Sequence, residues 1–151
     1  MRSSFASRAN DPDEEDRDSF DLLMVRLEGR PFAIPVGFVL EVLPAVELSP
    51  IIDQPPEIAG LANIRSEIVA VHYLRSYAGS PPRAMEPTDQ IVVVSQGESK
   101  LGLLVDSVET VQEFKEEQLF AQSLSPMAFK IVVVEGLMVR LVDLRDYLVT
   151  L

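Results

Sequence analysis

The sequence contains no cysteine and no tryptophan, one histidine, and only 7% aromatic residues. Without cysteine there is no disulfide framework, no thiolate nucleophile and no sulfur-ligated zinc, and an intracellular setting fits. A lone imidazole without convergent ligands makes a poor metal site. His72 reads instead as a core-edge residue that shares a strand face with Ile68, Ala70 and Leu74. Scarce aromatics argue against a groove for proline-rich peptides. Positive charge is also short: 13 Lys and Arg stand against 24 Asp and Glu, a net charge of −11. Nucleic acid and anionic membranes are therefore poor partners. No apolar run approaches the roughly 18 residues of a membrane span, and residues 1–19 lack the apolar core of a signal peptide. The reading is a cytoplasmic protein with no direct membrane insertion. No phosphate loop or nucleophile elbow occurs, and Ser66 and Ser107 have no neighbouring histidine to activate them. Asp106 and Asp143 each follow a valine at a strand end, and Asp143 reads as a helix N-cap rather than a base. Neither a catalytic residue nor a cofactor is called for.

What is present is a chain of 151 residues, 47% hydrophobic, punctuated by 11 prolines and 7 glycines. Residues 1–19 form an acidic tail, with Asp11–Asp18 mostly carboxylate, and cannot offset the entropy of ordering. Short β-branched runs follow, bounded by turn residues: Phe20–Leu27, Phe32–Val36, Leu48–Ile52, Ile68–Val71, Gln90–Ser95, Lys100–Val105, Ile131–Val134 and Leu137–Val142. Val39 and Val42 sit at near-helical spacing, so Gly37–Val42 is expected to form a helical turn, and Asp106–Val111 mirrors it. Short helices are expected at Leu74–Tyr77 and Leu144–Leu148. Ala78–Thr88, with three prolines, reads as a linker.

The chain also repeats itself at about seventy residues. Arg65–Ala78 lies over Glu135–Leu148, matching Ile68 to Met138, Val71 to Leu141 and Leu74-Arg75 to Leu144-Arg145. Gly29–Val42 lies over Gly97–Val111, matching Ile34 to Leu103, Val39 to Val108 and Val42 to Val111. A duplicated β-unit without a catalytic cluster points to a binding scaffold. Each unit alone has a marginal core, so the two should pack through an apolar seam.

Three blocks carry a resemblance to a known family. Phe32–Val36 followed by Val39, Glu41 and Val42 is similar to a "y-a-I-p…V-x-E-V" hairpin, and Ile58–Arg65 to an "I-x-G-l-x-N-l-R-G" signature. Gly102–Val108 is similar to "G-l-l-V-D-x-V". Together, in order, they resemble the CheW-like chemotaxis coupling proteins, from about Phe20 to Leu151. The resemblance implies an all-β fold with short helices: two SH3-like five-stranded β-barrels packed through a hydrophobic seam. The first barrel would cover about 20–80 and the second about 88–151. It also implies a non-enzymatic adaptor that binds the regulatory domain of a CheA-type histidine kinase and the cytoplasmic tip of a methyl-accepting receptor. Docking of the receptor helix tip is expected in an apolar groove between the barrels. The partner-binding residues carried over are Val36, Val39, Glu41, Gly60, Asn63, Arg65, Val105 and Val108. Arg65 is either exposed for recognition or paired with a carboxylate, and Glu41 is its expected partner. Val39, Val105 and Val108 are core or seam residues, or line a groove.

The chain departs from the family pattern around one hairpin, and the stretch before the last hairpin, Gln122–Lys130, also looks short. The glycine after the arginine is Ser66, the proline of the next strand is Ala70, and the aspartate before the helix is Tyr73. A somewhat divergent member is expected, with one of its two contacts altered around Arg65–Tyr73. The alternatives are a paralogue that has lost one partner and serves a non-flagellar pathway, a stand-alone SH3-like binding module, or a hydrolase using paired carboxylates.

Overall fold

The computed structural model describes residues 19–96, 98–115, 119–124, 127–134 and 137–142. Of the tail only Ser19 is described, and it begins the first strand; the rest of the tail and the helix expected at Leu144–Leu148 lie outside the described residues. Among the described residues eleven strands form two sheets. They are β1 (Ser19–Leu27), β2 (Arg30–Pro35), β3 (Val39–Pro44), β4 (Ile58–Ile64), β5 (Glu67–Tyr73), β6 (Gln90–Gln96), β7 (Ser99–Val105), β8 (Ser107–Lys115), β9 (Leu119–Leu124), β10 (Met127–Val134) and β11 (Leu137–Leu141). A 3-10 turn, Val36–Phe38, precedes β3, and a four-residue helix α1 (Leu74–Tyr77) follows β5.

The first sheet has six strands in the order β8-β1-β2-β11-β10-β9, and the second has five in the order β3-β6-β7-β5-β4. These orders are one order written twice. Substituting β1, β2, β3, β4 and β5 for β6, β7, β8, β10 and β11, and the reverse, turns one sheet into the other. Registers agree as well. Val39 opposes Val94 and Val42 opposes Val92, as Val108 opposes Val25 and Val111 opposes Leu23. The parallel pairing of Val71 with Gly102 returns as Leu141 with Ala33. The counterpart of β9 in the second sheet is a single bridge, Ser49 to Leu61. The sequence repeat is thus a structural repeat, with its strands exchanged. Each sheet takes a first hairpin from one repeat, and a third strand and last hairpin from the other.

The two closed five-stranded barrels implied by the resemblance are not what forms. Both sheets are open: among the described residues no ladder joins β3 to β4 or β8 to β9. In the second sheet the reason is visible. The outer edge of β4 is already occupied, because Ser49 and Leu61 exchange two backbone hydrogen bonds of 2.8 Å. That crossing depends on Gly60, whose φ is +154°, and where a Cβ would stand 2.9 Å from the Cβ of Leu48. The strand expected at Leu48–Ile52 is reduced to this bridge. Pro50 has no N–H to continue a ladder, and Gln54 claims the next groups, accepting from Ile51 N at 2.7 Å and donating to Ile58 O at 2.8 Å.

The expected helical turns at Gly37–Val42 and Asp106–Val111 are mainly strand. Both strands carry a register shift, at Leu40 in β3 and in the matching stretch of β8. A bulge sets two residues against one. It brings Val39 and Val42, three apart, onto the same seam. The bulge therefore imitates a helical period.

Among the described residues three apolar clusters hold the sheets. The central one draws Leu23, Val25 and Leu27 from β1, Phe32 and Ile34 from β2, Leu74 from α1, and Val92, Val94, Leu101, Leu103 and Val105 from β6 and β7. It joins two open sheets, each built from both repeats, and not the two closed barrels between which a seam is expected. A second cluster packs Leu22, Met24, Ala33, Phe114, Val139 and Leu141 on the other face of the first sheet. A third packs Ala62, Ile64, Val69, Val71, Ile91, Val93 and Leu104 on the other face of the second. Strands β1 and β6 are buried on both faces, so their sequences read as unbroken apolar runs rather than as alternation.

Candidate functional site

Arg65 sits at the tip of the β4–β5 hairpin. Arg65 and Ser66 are the two residues between Ile64 and Glu67, with φ of 51° and 68°. Positive φ at both central positions is the requirement of a type I′ hairpin turn. It aims the Arg65 side chain outward, 77% exposed, onto Glu41 of β3. The guanidinium donates through Nε to both Glu41 oxygens at 3.1 Å and through Nη2 at 2.9 Å. These hydrogen bonds, against a burial penalty, hold the Glu41 carboxyl below its ordinary pKa. The two open alternatives for Arg65, recognition and pairing, are both compatible with this geometry.

The pair also defines the shape of the second sheet. Glu41 lies on one edge strand, and Arg65 on the hairpin that includes the other. In a flat sheet three to four strand spacings would separate them by roughly 15–19 Å. The sheet therefore curls until its ends meet through side chains, while remaining open in its backbone hydrogen bonds. Lys100 to Glu67 at 2.6 Å adds a further ion pair on the same sheet.

A second polar cluster lies where the linker crosses the seam. Arg75 of α1 is 9% exposed, and donates to Glu28 at 2.8 Å and to both Asp106 oxygens at 2.8 and 2.9 Å. Asp106 also accepts from the Glu28 backbone N–H at 2.8 Å and from Arg83 at 3.0 Å. Arg83 grips Asp89 through two bonds of 2.8 Å. Ser80 donates to Glu28 at 2.8 Å, and that hydrogen bond leads the causes that hold the Glu28 carboxyl below its ordinary pKa. Burial alone would raise Asp89. Hydrogen bonds from Arg83 and from the Glu86 N–H outweigh it and lower the carboxyl. The aspartate of the "G-l-l-V-D-x-V" block is thus a structural hub. Its arginine partners at 75 and 83 went unseen in the sequence because they lie 31 and 23 residues away.

The eight candidate partner-binding residues divide by depth. Asn63 and Arg65 are exposed, and Glu41, Val36, Val39 and Val108 are half-buried. The three half-buried valines pack against the central cluster. Gly60 and Val105 are buried. Glu41 and Arg65 meet. Asn63 lies one cross-strand step from Ile68, which is 66% exposed. Its repeat counterpart Met138 is 71% exposed, an apolar pair that sequence reasoning aligned but assigned no role. Tyr73 lines a shallow cleft of about 340 Å³ with Pro55, Pro56, Ile58, Pro82 and Arg83. It precedes α1 without a side-chain capping bond. His72 is buried, and burial lowers its pKa against the opposing charge of Glu57. Among the described residues no three His, Asp or Glu side chains are grouped to hold a metal. No described helix is long and apolar enough to cross a membrane.

The family model for the CheW-like domain matches residues 21–150. Among curated proteins none matches this chain in sequence. Among solved structures, the chain is similar to the scaffolding protein TtCheW from Thermoanaerobacter tengcongensis. The TM-score is 0.74 and the identity 22%, over 82% of this chain and 88% of that one.

Proposed function

The chain belongs to the CheW-like domain family, and from that premise we propose that it is a non-enzymatic adaptor coupling chemoreceptors to a CheA-type histidine kinase. The match over residues 21–150 carries this reading. Its work is assembly: one surface holds the kinase regulatory domain and another the cytoplasmic tip of a methyl-accepting receptor, in the cytoplasm. The surface offered to them includes Arg65, Glu41 and Asn63 at the hairpin end of the second sheet. Val36, Val39 and Val108 contribute at the crossings between sheets, with Gly60 and Val105 shaping the surface from beneath. The positive φ of Ser66 and the uncapped Tyr73 support a contact altered around Arg65–Tyr73.

The test titrates the purified protein separately against a kinase regulatory domain and a receptor-tip fragment. Binding to both is expected, one of them weak, with Arg65→Ala reducing at least one further. Binding to neither would reject the adaptor role. Full-strength binding at both, unchanged by Ser66→Gly or Tyr73→Asp, would reject the altered contact.

A further inference from the structure

The pairing of strands follows a rule. Hairpins β1–β2, β4–β5, β6–β7 and β10–β11 form within one repeat. Apart from β9 with β10, which stays within the second repeat, every ladder that joins one hairpin to another strand crosses between repeats: β1 with β8, β2 with β11, β3 with β6, and β5 with β7. A repeat cannot complete either sheet alone. What it needs is the complementary repeat, and the complementary repeat of a second copy offers the same edges in the same registers.

We propose that this chain forms a closed, strand-exchanged dimer with a second copy of itself, in which the first repeat of each copy completes its sheets with the second repeat of the other. The single covalent connection between the repeats is the linker that precedes β6. In the monomer it is held along the body by Ser80 on Glu28, and by Arg83 on Asp89 and Asp106. The ladders and the Arg75–Asp106 contact form equally well between copies, because all of them join one repeat to the other. Exchange therefore costs only linker geometry and the concentration difference between a tethered and a free partner. A short flexible tether supplies an effective concentration of about 1 mM. Choice between the two forms is made as the chain folds, since native exchange would require all four crossing ladders to open. Swapping of identical elements is a low-cost route to dimers and a recognised outcome for repeat proteins.

The absence of native cysteine gives a clean test. Asp21 of β1 and Glu113 of β8 are exposed cross-strand neighbours from different repeats. In the full chain carrying Asp21→Cys and Glu113→Cys, the disulfide is intrachain in the monomer and interchain in the exchanged dimer. The protein is refolded from denaturant over a range of concentrations, oxidised, and read by non-reducing gel and light scattering. The interchain fraction should rise from a few per cent or less near about 10 µM to about half near 1 mM. Deleting residues 81–85 in the same background should move the protein to the dimer at low concentration, with a circular dichroism spectrum unchanged. A disulfide that stays intrachain at every concentration would overturn the proposal. So would a dimer whose disulfides are intrachain, which is association of surfaces rather than exchange. If the deletion variant fails to fold, the concentration series with the intact linker decides.

Discussion

Ser66 occupies the second position of its turn at φ +68°, where glycine sits without steric cost and a Cβ crowds the backbone. Ser66→Gly relieves that strain and loses part of the gain to a more flexible unfolded chain. A net stabilisation of roughly 0.5–1 kcal/mol is expected, read as a higher urea midpoint with unchanged slope. His72 gives the pH dependence its sign. Burial holds its folded pKa below the unfolded value of 6.5, so the unfolded state binds the extra proton. Stability is complete above that value and falls as pH drops through it toward the folded pKa. Urea midpoints at pH 7.5 and 5.5 should show this loss, and His72→Phe should abolish most of the difference. An equal drop in the variant would assign the slope to other groups.

At the level of single elements, two glycines fix how close strands come. A Cβ on Gly102 would meet Ile91 Cγ2 at 2.9 Å and Val71 Cγ2 at 3.2 Å, between two buried strands. Gly102→Val should destabilise by about 1–3 kcal/mol through overpacking. Gly60→Ala should cost a similar amount, through positive φ as well as contact with Leu48, and should expose the Ser49–Leu61 bridge to amide exchange. Element types were mostly legible in the sequence, because β-branched runs flanked by turn residues at 28–29 and the linker prolines are local signals. The bulges were not: Val39 and Val42 obey a helical spacing that only the extra residue in β3 explains. Strand β9 also went unassigned, and β10 begins at Met127, earlier than the Ile131 start expected.

For the whole molecule, Arg75 is the residue on which most depends. It joins the β1–β2 turn, α1 and the start of β8 from a nearly buried position. Arg75→Ala leaves Asp106 beside a half-empty network. A loss of about 3 kcal/mol is expected, the low end for a broken buried pair, because its partners keep some water. Thermal or urea unfolding measures it, and a change under about 1 kcal/mol would make the network ornamental. The duplication itself was legible in the sequence, since matched apolar residues recur at constant offset. Which repeat supplies each strand was not, because the crossing ladders join residues far apart and carry no local mark. Of the candidate site, the Glu41–Arg65 pair was foreseen; the Arg75–Asp106–Arg83 hub was not.

The exchange of strands has a consequence for the protein's synthesis. A ribosome that has released residues up to Tyr77 has supplied two strands of the six-stranded sheet and three of the five-stranded one. The emerging chain can close hairpins, but neither β1 nor β2 meets its outer neighbour until β8 and β11 have been translated. Residues 78–141 must be translated while strand edges stay unpaired, an interval in which the emerging chain is open to edge-to-edge association.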